Sequence, residues 1–187
     1  KLVLVSREAI KSRRAGLLSW SQGKVGFAAN RRTKGGPVDH DLPVLRALDA
    51  SGKPIAFVVN YACHCTTQNP DDNAVSGDWA GYAQAAIERD HPGAIAMTVV
   101  GCGADANPLR RLQPGAANDH GRAIADEVGR LIKGPWKDLN EPPKGTFQRI
   151  PLDLGPIPTR AELDTIVKKG GPPGYAASIN LDRLDRG

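Results

Sequence analysis

Methionine, aromatic rings and cysteine are all scarce in this chain, which has one Met, three each of Trp, Tyr and Phe, and three Cys in 187 residues. Three cysteines cannot build a disulfide framework. Cys63 and Cys65 stand too close along an extended strand to bridge each other comfortably; either could meet Cys102, but three small buried thiols are the expectation. No stretch offers the ~18 apolar residues that a membrane-spanning helix requires, and the opening KLVLVSREAI is too short and wrongly flanked for a secretory leader. HEXXH, paired CXXC, GXGXXG behind a strand, GXXXXGK(S/T) and GXSXG are all missing, which leaves nucleotide-cradle and nucleophile-elbow chemistry without support. GCGADAN has the look of a calcium loop but lacks the spaced carboxylates and the closing glutamate. Aromatic scarcity also bears on the net charge of +5. The basic pairs Arg13-Arg14, Arg31-Arg32, Arg110-Arg111 and Lys168-Lys169 are dispersed and not interleaved with rings, so a solvated surface is expected and a nucleic-acid partner is not.

Turn residues, by contrast, are plentiful: 21 Gly and 15 Pro put much of the chain in loops, while 40% hydrophobic residues is ordinary for one domain with a real core. Residues 1–14 read as the end of an amphipathic helix with no N-cap signal, as in a chain cut from a longer one or lacking earlier residues. Gly16–Phe27 alternates like an exposed or hairpin strand. Leu42, Val44 and Leu45 mark a strand, Asp49–Lys53 a turn and Ile55–Tyr61 an antiparallel neighbour. Trp79–Asp90 is a helix with Ser76 or Asp78 as cap, and Ala94–Val100 a second buried strand, so that strand, helix and strand form a βαβ unit over residues 55–100. Residues 116–132 form a second amphipathic helix burying Ile124, Val128, Leu131 and Ile132, with His120 expected at its surface or cap. FQRIPLDLGPIPT is expected to hold a strand, Arg160–Lys169 a short helix, and the final GGPPGYAASINLDRLDRG a loop and a partial helix. The expected class is α/β, a mixed sheet covered by helices.

The stretch that organises the rest is IAFVVNYACHCTTQNPDDNAVSGDWAGY at 55–82, where a buried apolar run delivers His64 into polar, glycine-bounded sequence. Strand exits are where α/β folds place ligands. On an extended backbone Cys63 and Cys65 face one way and His64 the other, with Ala62 and Thr66. A neutral imidazole there suits a metal ligand or a general base, and a half-buried histidine bonded to a backbone carbonyl is the plain alternative. If the two strands are parallel neighbours, the loop after Val100 opens on the same rim and brings Arg31, His64, Asp78, Tyr82, Asp105 and Asn107 together from three segments.

The order of short motifs, NRR at 30–32, VLR at 44–46, NYACHCTT at 60–67, SGDWAGYA at 76–83, GCGADANP at 101–108 and HGRAIADEV from 120, resembles the catalytic domain of the neutral/alkaline, non-lysosomal ceramidase family, its divergent bacterial members above all. The resemblance spans roughly residues 1–165. It implies a zinc-dependent amidohydrolase that cleaves an N-acyl lipid amide, with 1–187 a portion of one such domain. It implies His64 as one zinc ligand, with a further histidine expected upstream and a glutamate and tyrosine downstream of this chain. It matches Arg31 to the arginine that holds the substrate's polar group or oxyanion, and Asp78, Gly81 and Tyr82 to a segment shaping the site wall. A secreted or periplasmic setting and a peripheral membrane contact also follow from it. The serine of the family's glycine loop is replaced here by Ala106 or Asn107, according to the alignment. A binding module without catalysis, holding a lipid or polyol head group through Arg31, Asp78, Asp105 and Asn107, is the competing expectation.

Overall fold

The computed structural model describes residues 1–142, 144–153 and 155–186, the side chain of Pro70 excepted. The chain divides into two compact units, Lys1–Pro143 and Lys144–Gly187. In the first, helix α1 (Leu2–Lys11) buries none of its residues and starts without a side-chain cap. It is followed by strands β1 (Leu17–Lys24), β2 (Ala28–Asn30), β3 (Asp41–Leu48) and β4 (Pro54–Tyr61), helix α2 (Asp78–Asp90), strands β5 (Ile95–Val100) and β6 (Ala106–Pro108), helix α3 (Ala116–Ile132) and strand β7 (Lys137–Asp138).

Five strands form a mixed sheet in the order β5-β4-β3-β1-β7, with β2 and β6 in a small sheet of their own. The β3–β4 hairpin is antiparallel, pairing Leu45 with Val58, and its turn is tied by Asp49 Oδ1, which accepts from the N–H groups of Ser51 and Lys53. β4 and β5 are parallel, with Val58 opposite Met97 and Tyr61 opposite Val100, so α2 completes the expected βαβ crossover. Phe57, Val59 and Tyr61 of β4 alternate onto one face, with Leu42 and Val44 of β3, and all five are fully or nearly fully buried with Trp79 and Ile87 of α2 and Ile124 and Val128 of α3.

Four expectations about the fold are corrected, the last of them in the second unit. Ala94–Val100 is not buried on both sides: β5 is the edge of its sheet, and Ile95, Met97 and Val99 alternate outward, Met97 being 54% exposed. A continuous apolar run does not by itself distinguish a central strand from an edge. FQRIPLDLGPIPT forms no strand among its described residues, Leu154 lying outside them, because its prolines leave too few ladder donors and no partner strand is at hand. His120 is neither surface nor cap: it is 7% exposed, stacked on Phe27 with centroids 4.3 Å apart, and its Nε2 lies 2.8 Å from the Arg110 carbonyl.

Two polar ties hold the sheet to its cover. The Tyr61 hydroxyl donates to the Val25 carbonyl at 2.6 Å and accepts from the Ala28 N–H at 3.2 Å, while burial pushes its ionisation far up, so it stays a neutral donor. Glu127 of α3 accepts from the Lys24 N–H at 2.9 Å and pairs with Arg130 one turn on. A Cβ on Gly23 would sit 2.1 Å from its Oε1, so a side chain there would displace this carboxylate. In the second unit, α4 (Arg160–Lys169) has the expected bounds and opens on a capping box between Thr159 and Glu162. The closing segment is a full helix, α5 (Gly171–Arg186), rather than a partial one. Its prolines fall in the first turn, where a missing N–H costs nothing, and Leu163 and Ala177 are buried between the pair.

Gly101 and Gly103 permit a close approach of the turn to backbone at the end of β4. A Cβ on Gly103 would lie 2.5 Å from the Cys63 nitrogen and 2.6 Å from the Ala62 carbonyl carbon. Gly103→Ala is therefore expected to destabilise by about 1–3 kcal/mol through overpacking against backbone. Gly129→Ala, where a Cβ meets nothing within 4 Å, is expected to be neutral or stabilising in the helix interior. Urea unfolding of both variants checks the contrast.

The hydrogen bond from Arg130, then that from the Lys24 N–H, hold the Glu127 carboxyl below its ordinary range. Because the folded value is depressed, the stability it contributes is complete above the unfolded carboxyl pKa, ~4.3, and is lost as pH falls through the folded value. Glu127→Gln is expected to cost about 1–2 kcal/mol at neutral pH, the ~1.5–3 kcal/mol of hydrogen bonds to a charged group discounted because Arg130 is largely exposed, and little in acid below the lowered pKa. Equal losses at both ends of a pH series of unfolding curves would refute that account.

Candidate functional site

The β4 exit and the 101–106 turn are sewn together by backbone. The Gly101 N–H donates to the Tyr61 carbonyl at 3.0 Å, the His64 N–H to the Ala106 carbonyl at 2.9 Å, and the Arg31 N–H to the Asp105 carbonyl at 2.7 Å. β2 and β6 extend this joint by pairing Ala29 with Asn107 and Asn30 with Ala106. Three segments distant in sequence thus meet at one rim, as the βαβ reading anticipates.

On that rim two cationic or basic groups share one acceptor. Arg31 donates its Nε to the Ala104 carbonyl at 3.0 Å, and His64 Nε2 lies 3.3 Å from the same oxygen. His64 is half-buried and bonded to a backbone carbonyl, as in the plain alternative to a metal ligand. With Nε2 donating to that oxygen, Nδ1 is the nitrogen that carries the lone pair, while the Arg31 guanidinium is exposed. The histidine is placed from behind by Trp79, fully buried, whose indole N–H donates to the His64 carbonyl at 2.9 Å. A buried indole needs such an acceptor, so a tryptophan opening the helix that follows a histidine loop is a sequence signal for the pairing that pattern reading missed.

Asp105 and Asn107 stand on the same turn. The Asp105 carboxylate accepts from Asn30 Nδ2 at 3.0 Å, and Asn107 Oδ1 lies 3.4 Å from the Thr66 hydroxyl. Thr66 in turn offers its carbonyl to Arg111 Nε at 3.0 Å. Asp78 turns inward. Nearly buried and with φ of 50°, it accepts through Oδ2 from the N–H groups of Thr67, 2.7 Å, and Gln68, 2.9 Å, and through Oδ1 from that of Trp79. The helix cap lies one residue earlier, at Gly77, with Ser76 Oγ accepting the Asp78 N–H. Tyr82 is half-exposed and lines a separate polar cavity of about 300 Å³ with Gln68, Asn69, Asp72 and Gln113. The rim therefore gathers Arg31, His64, Asp105 and Asn107, while Asp78 braces the loop from beneath and Tyr82 belongs to a neighbouring hollow.

The thiols are not all buried, contrary to the expectation from sequence, and two of the three are shifted away from ionisation. All three cysteines are free; Cys63 is buried, and Cys65 and Cys102 reach the surface. Burial first, then Cys65, pushes the Cys63 thiol up to about 12. The Cys65 thiol also moves up, through partial desolvation and the Asp78 carboxylate, although its edge is exposed. No group of three or more His, Cys, Asp or Glu is placed to hold a metal ion among the described residues.

No protein-family model matches the chain. Two curated relatives do: Neutral ceramidase B of Dictyostelium discoideum is 40% identical over 52 residues, 28% of this chain and 7% of that protein, and Neutral ceramidase A of the same organism is 34% identical over 64 residues, 34% of this chain and 9% of that protein. Among solved structures, the neutral ceramidase from Pseudomonas aeruginosa superposes with a TM-score of 0.63 at 19% identity, over 73% of this chain and 26% of that one. A ceramidase complexed with C2 gives 0.62 at 17% identity, over 70% and 24%. The chain spans less than a tenth of the curated relatives and 24–26% of the two solved chains. In local sequence and in its α/β fold, this is a neutral ceramidase-like chain.

Proposed function

We propose that the chain forms part of a hydrolase that cleaves the amide of a ceramide-like N-acyl lipid, with His64 giving one donor to a zinc ion whose other donors lie outside these 187 residues. The observation that carries the reading is the convergence of the His64 imidazole and the Arg31 guanidinium on the Ala104 carbonyl, at the mouth of a buried strand. Local sequence likeness to neutral ceramidases supports the substrate class. Catalytic zinc takes three protein ligands beside its water, so this chain alone does not fit the metal and no step is assigned to it. When held by a complete donor set, such an ion lowers the pKa of bound water to ~7 and polarises a carbonyl.

What the chain's own residues contribute can be stated separately. Arg31 spends its Nε on the loop, which fixes the plane of its guanidinium and leaves the terminal N–H groups free for a substrate oxygen as negative charge develops. Asn107 stands on the rim with its amide near Thr66, placed to orient a polar substrate group. Asp105 holds Asn30 and with it the loop that carries Arg31. Tyr82 lines the hollow beside the rim, where a head group has polar partners. The competing reading, head-group binding without turnover, is favoured by the lack of a hydroxyl at Ala106 and Asn107, one of which stands where the resemblance implies a serine.

The intact gene product is expected to contain stoichiometric zinc and to release fatty acid from N-acyl sphingoid amides, whereas the isolated chain is expected to be inactive. His64→Ala should lose both metal and turnover. Arg31→Ala should keep the metal and lose about 10²–10³ in kcat, the range for one oxyanion donor. Metal analysis alongside fatty-acid release decides: an intact, folded protein free of zinc, in which His64→Ala matches the unaltered form, ends the proposal.

A further inference from the structure

Gln68, Asp72, Tyr82, Gln113 and Asn118 line the hollow of about 300 Å³ beside the rim, and the chemistry at the rim uses almost none of them. Its walls are tied together. The Leu112 N–H donates to the Thr67 carbonyl at 2.7 Å and Arg111 Nε to the Thr66 carbonyl at 3.0 Å, which holds the segment before α3 to the loop after His64. On that loop Asp78 Oδ2 accepts the Gln68 N–H at 2.9 Å. The side chains of Gln68, Tyr82, Gln113 and Asn118, by contrast, make no hydrogen bond among the described residues, and the Asp72 carboxylate makes neither a hydrogen bond nor an ion pair there. Helix α3 begins in the same hollow, with Gly115, Ala117 and Asn118 in the lining. Gly115 caps it without a side chain, the N–H groups of Ala117 and Asn118 find no acceptor among the described residues, and Asp119, the one carboxylate of that turn, is paired with Arg110.

Two opposed charges decide what such a hollow takes. The start of α3 presents free donors and a partial positive charge, and Asp72 presents a full negative one. An anion is repelled by the carboxylate and a cation by the helix start, whereas a hydroxyl donates to the first and accepts from the second. Three carboxamides bond both ways as well, and the Tyr82 ring adds a flat apolar face. The volume lies at the small end of the ~300–1,000 Å³ of ligand pockets, which suits one ring rather than a chain. We infer that the hollow binds a single neutral polyhydroxylated ring, a hexose or a cyclitol, either free or at the head of a lipid. That such a ring would head a lipid whose amide reaches the rim rests on the hydrolase reading above. The binding itself does not, because it is read without turnover.

The test is a nitrogen–proton NMR titration of the 187-residue chain with methyl glucoside, inositol, inorganic phosphate and choline in turn. Saturable shifts of the Gln68, Ala117 and Asn118 amides are expected with the glucoside or inositol, and none with phosphate or choline. Gln113→Ala should weaken binding roughly 2- to 12-fold, one net hydrogen bond's worth, and Tyr82→Ala, which removes a hydroxyl and a ring face, by more. Both side chains are exposed, and unfolding midpoints equal to the parent's confirm that the variants are folded. Octyl glucoside below its micelle threshold separates the two sources, both of which support the inference: binding equal to methyl glucoside marks a free sugar, and tighter binding a lipid-linked one. No saturable shift with either ring, an equal response of the parent to phosphate or choline, or unchanged binding in both Gln113→Ala and Tyr82→Ala overturns it. Fatty-acid release by the intact gene product, measured separately, shows whether the hydrolase reading falls with it.

Discussion

The approach of two glycines onto the end of a strand is the constraint on which the rest of this structure depends. Strand β4 must shed its ladder when it leaves the sheet, and the polypeptide between Tyr61 and His64 then has backbone groups to satisfy. The 101–106 turn satisfies them directly, taking the Tyr61 carbonyl and the His64 N–H, and it can come that close only because Gly101 and Gly103 carry no Cβ. Once the turn is seated, the Ala104 carbonyl is aimed at His64 and Arg31, Asp105 is within reach of Asn30, and β6 is in register to pair with β2. The rim is a consequence of backbone packing before it is an arrangement of side chains.

The same packing explains which groups keep their reactivity. Groups delivered beneath the turn, Cys63, Tyr61 and Asp78, are committed: burial leaves the first a neutral thiol and the second a neutral phenol, and backbone N–H groups engage both carboxylate oxygens of the third. Groups delivered above it, His64, Arg31 and Asn107, keep an exposed edge. Trp79 separates the two layers, since its buried ring fills the space below while its N–H fixes the histidine backbone above.

Much of this order is legible in the residues because local signals and global topology agree. The apolar run 55–61 and the helix 79–90 are each unambiguous, and short connections between strand, helix and strand force the parallel pairing that carries two loops to one rim. The capping box at Thr159 and Glu162 is likewise a local fact that survives folding. What could not be read were features decided by partners. β2 and β6 are three residues long and have no pattern of their own; they exist because Asn30 and Ala106 are brought opposite each other. β5 has the composition of a central strand but lies at an edge, a distinction set by what stands beside it. His120 looks like a surface residue of a first turn, yet Phe27, far away in sequence, gives its ring a face to stack on.

Asn107 shows how far such a rim constrains chemistry. A nucleophile of the protein's own would need a hydroxyl or thiolate at the turn; Thr66, Cys63 and Cys65 are poorly suited, and Cys102 is an exposed free thiol on the turn itself. The Thr66 hydroxyl is directed at Asn107 Oδ1, with no base beside it among its hydrogen-bond partners, and the Cys63 and Cys65 thiols are shifted away from ionisation. The proposed reading takes water as the attacking group, and it would need both a base or metal to activate it and a cation opposite to take the charge. His64 and Arg31 meet at one carbonyl, which puts an imidazole and a guanidinium on the same rim for those two roles under that reading.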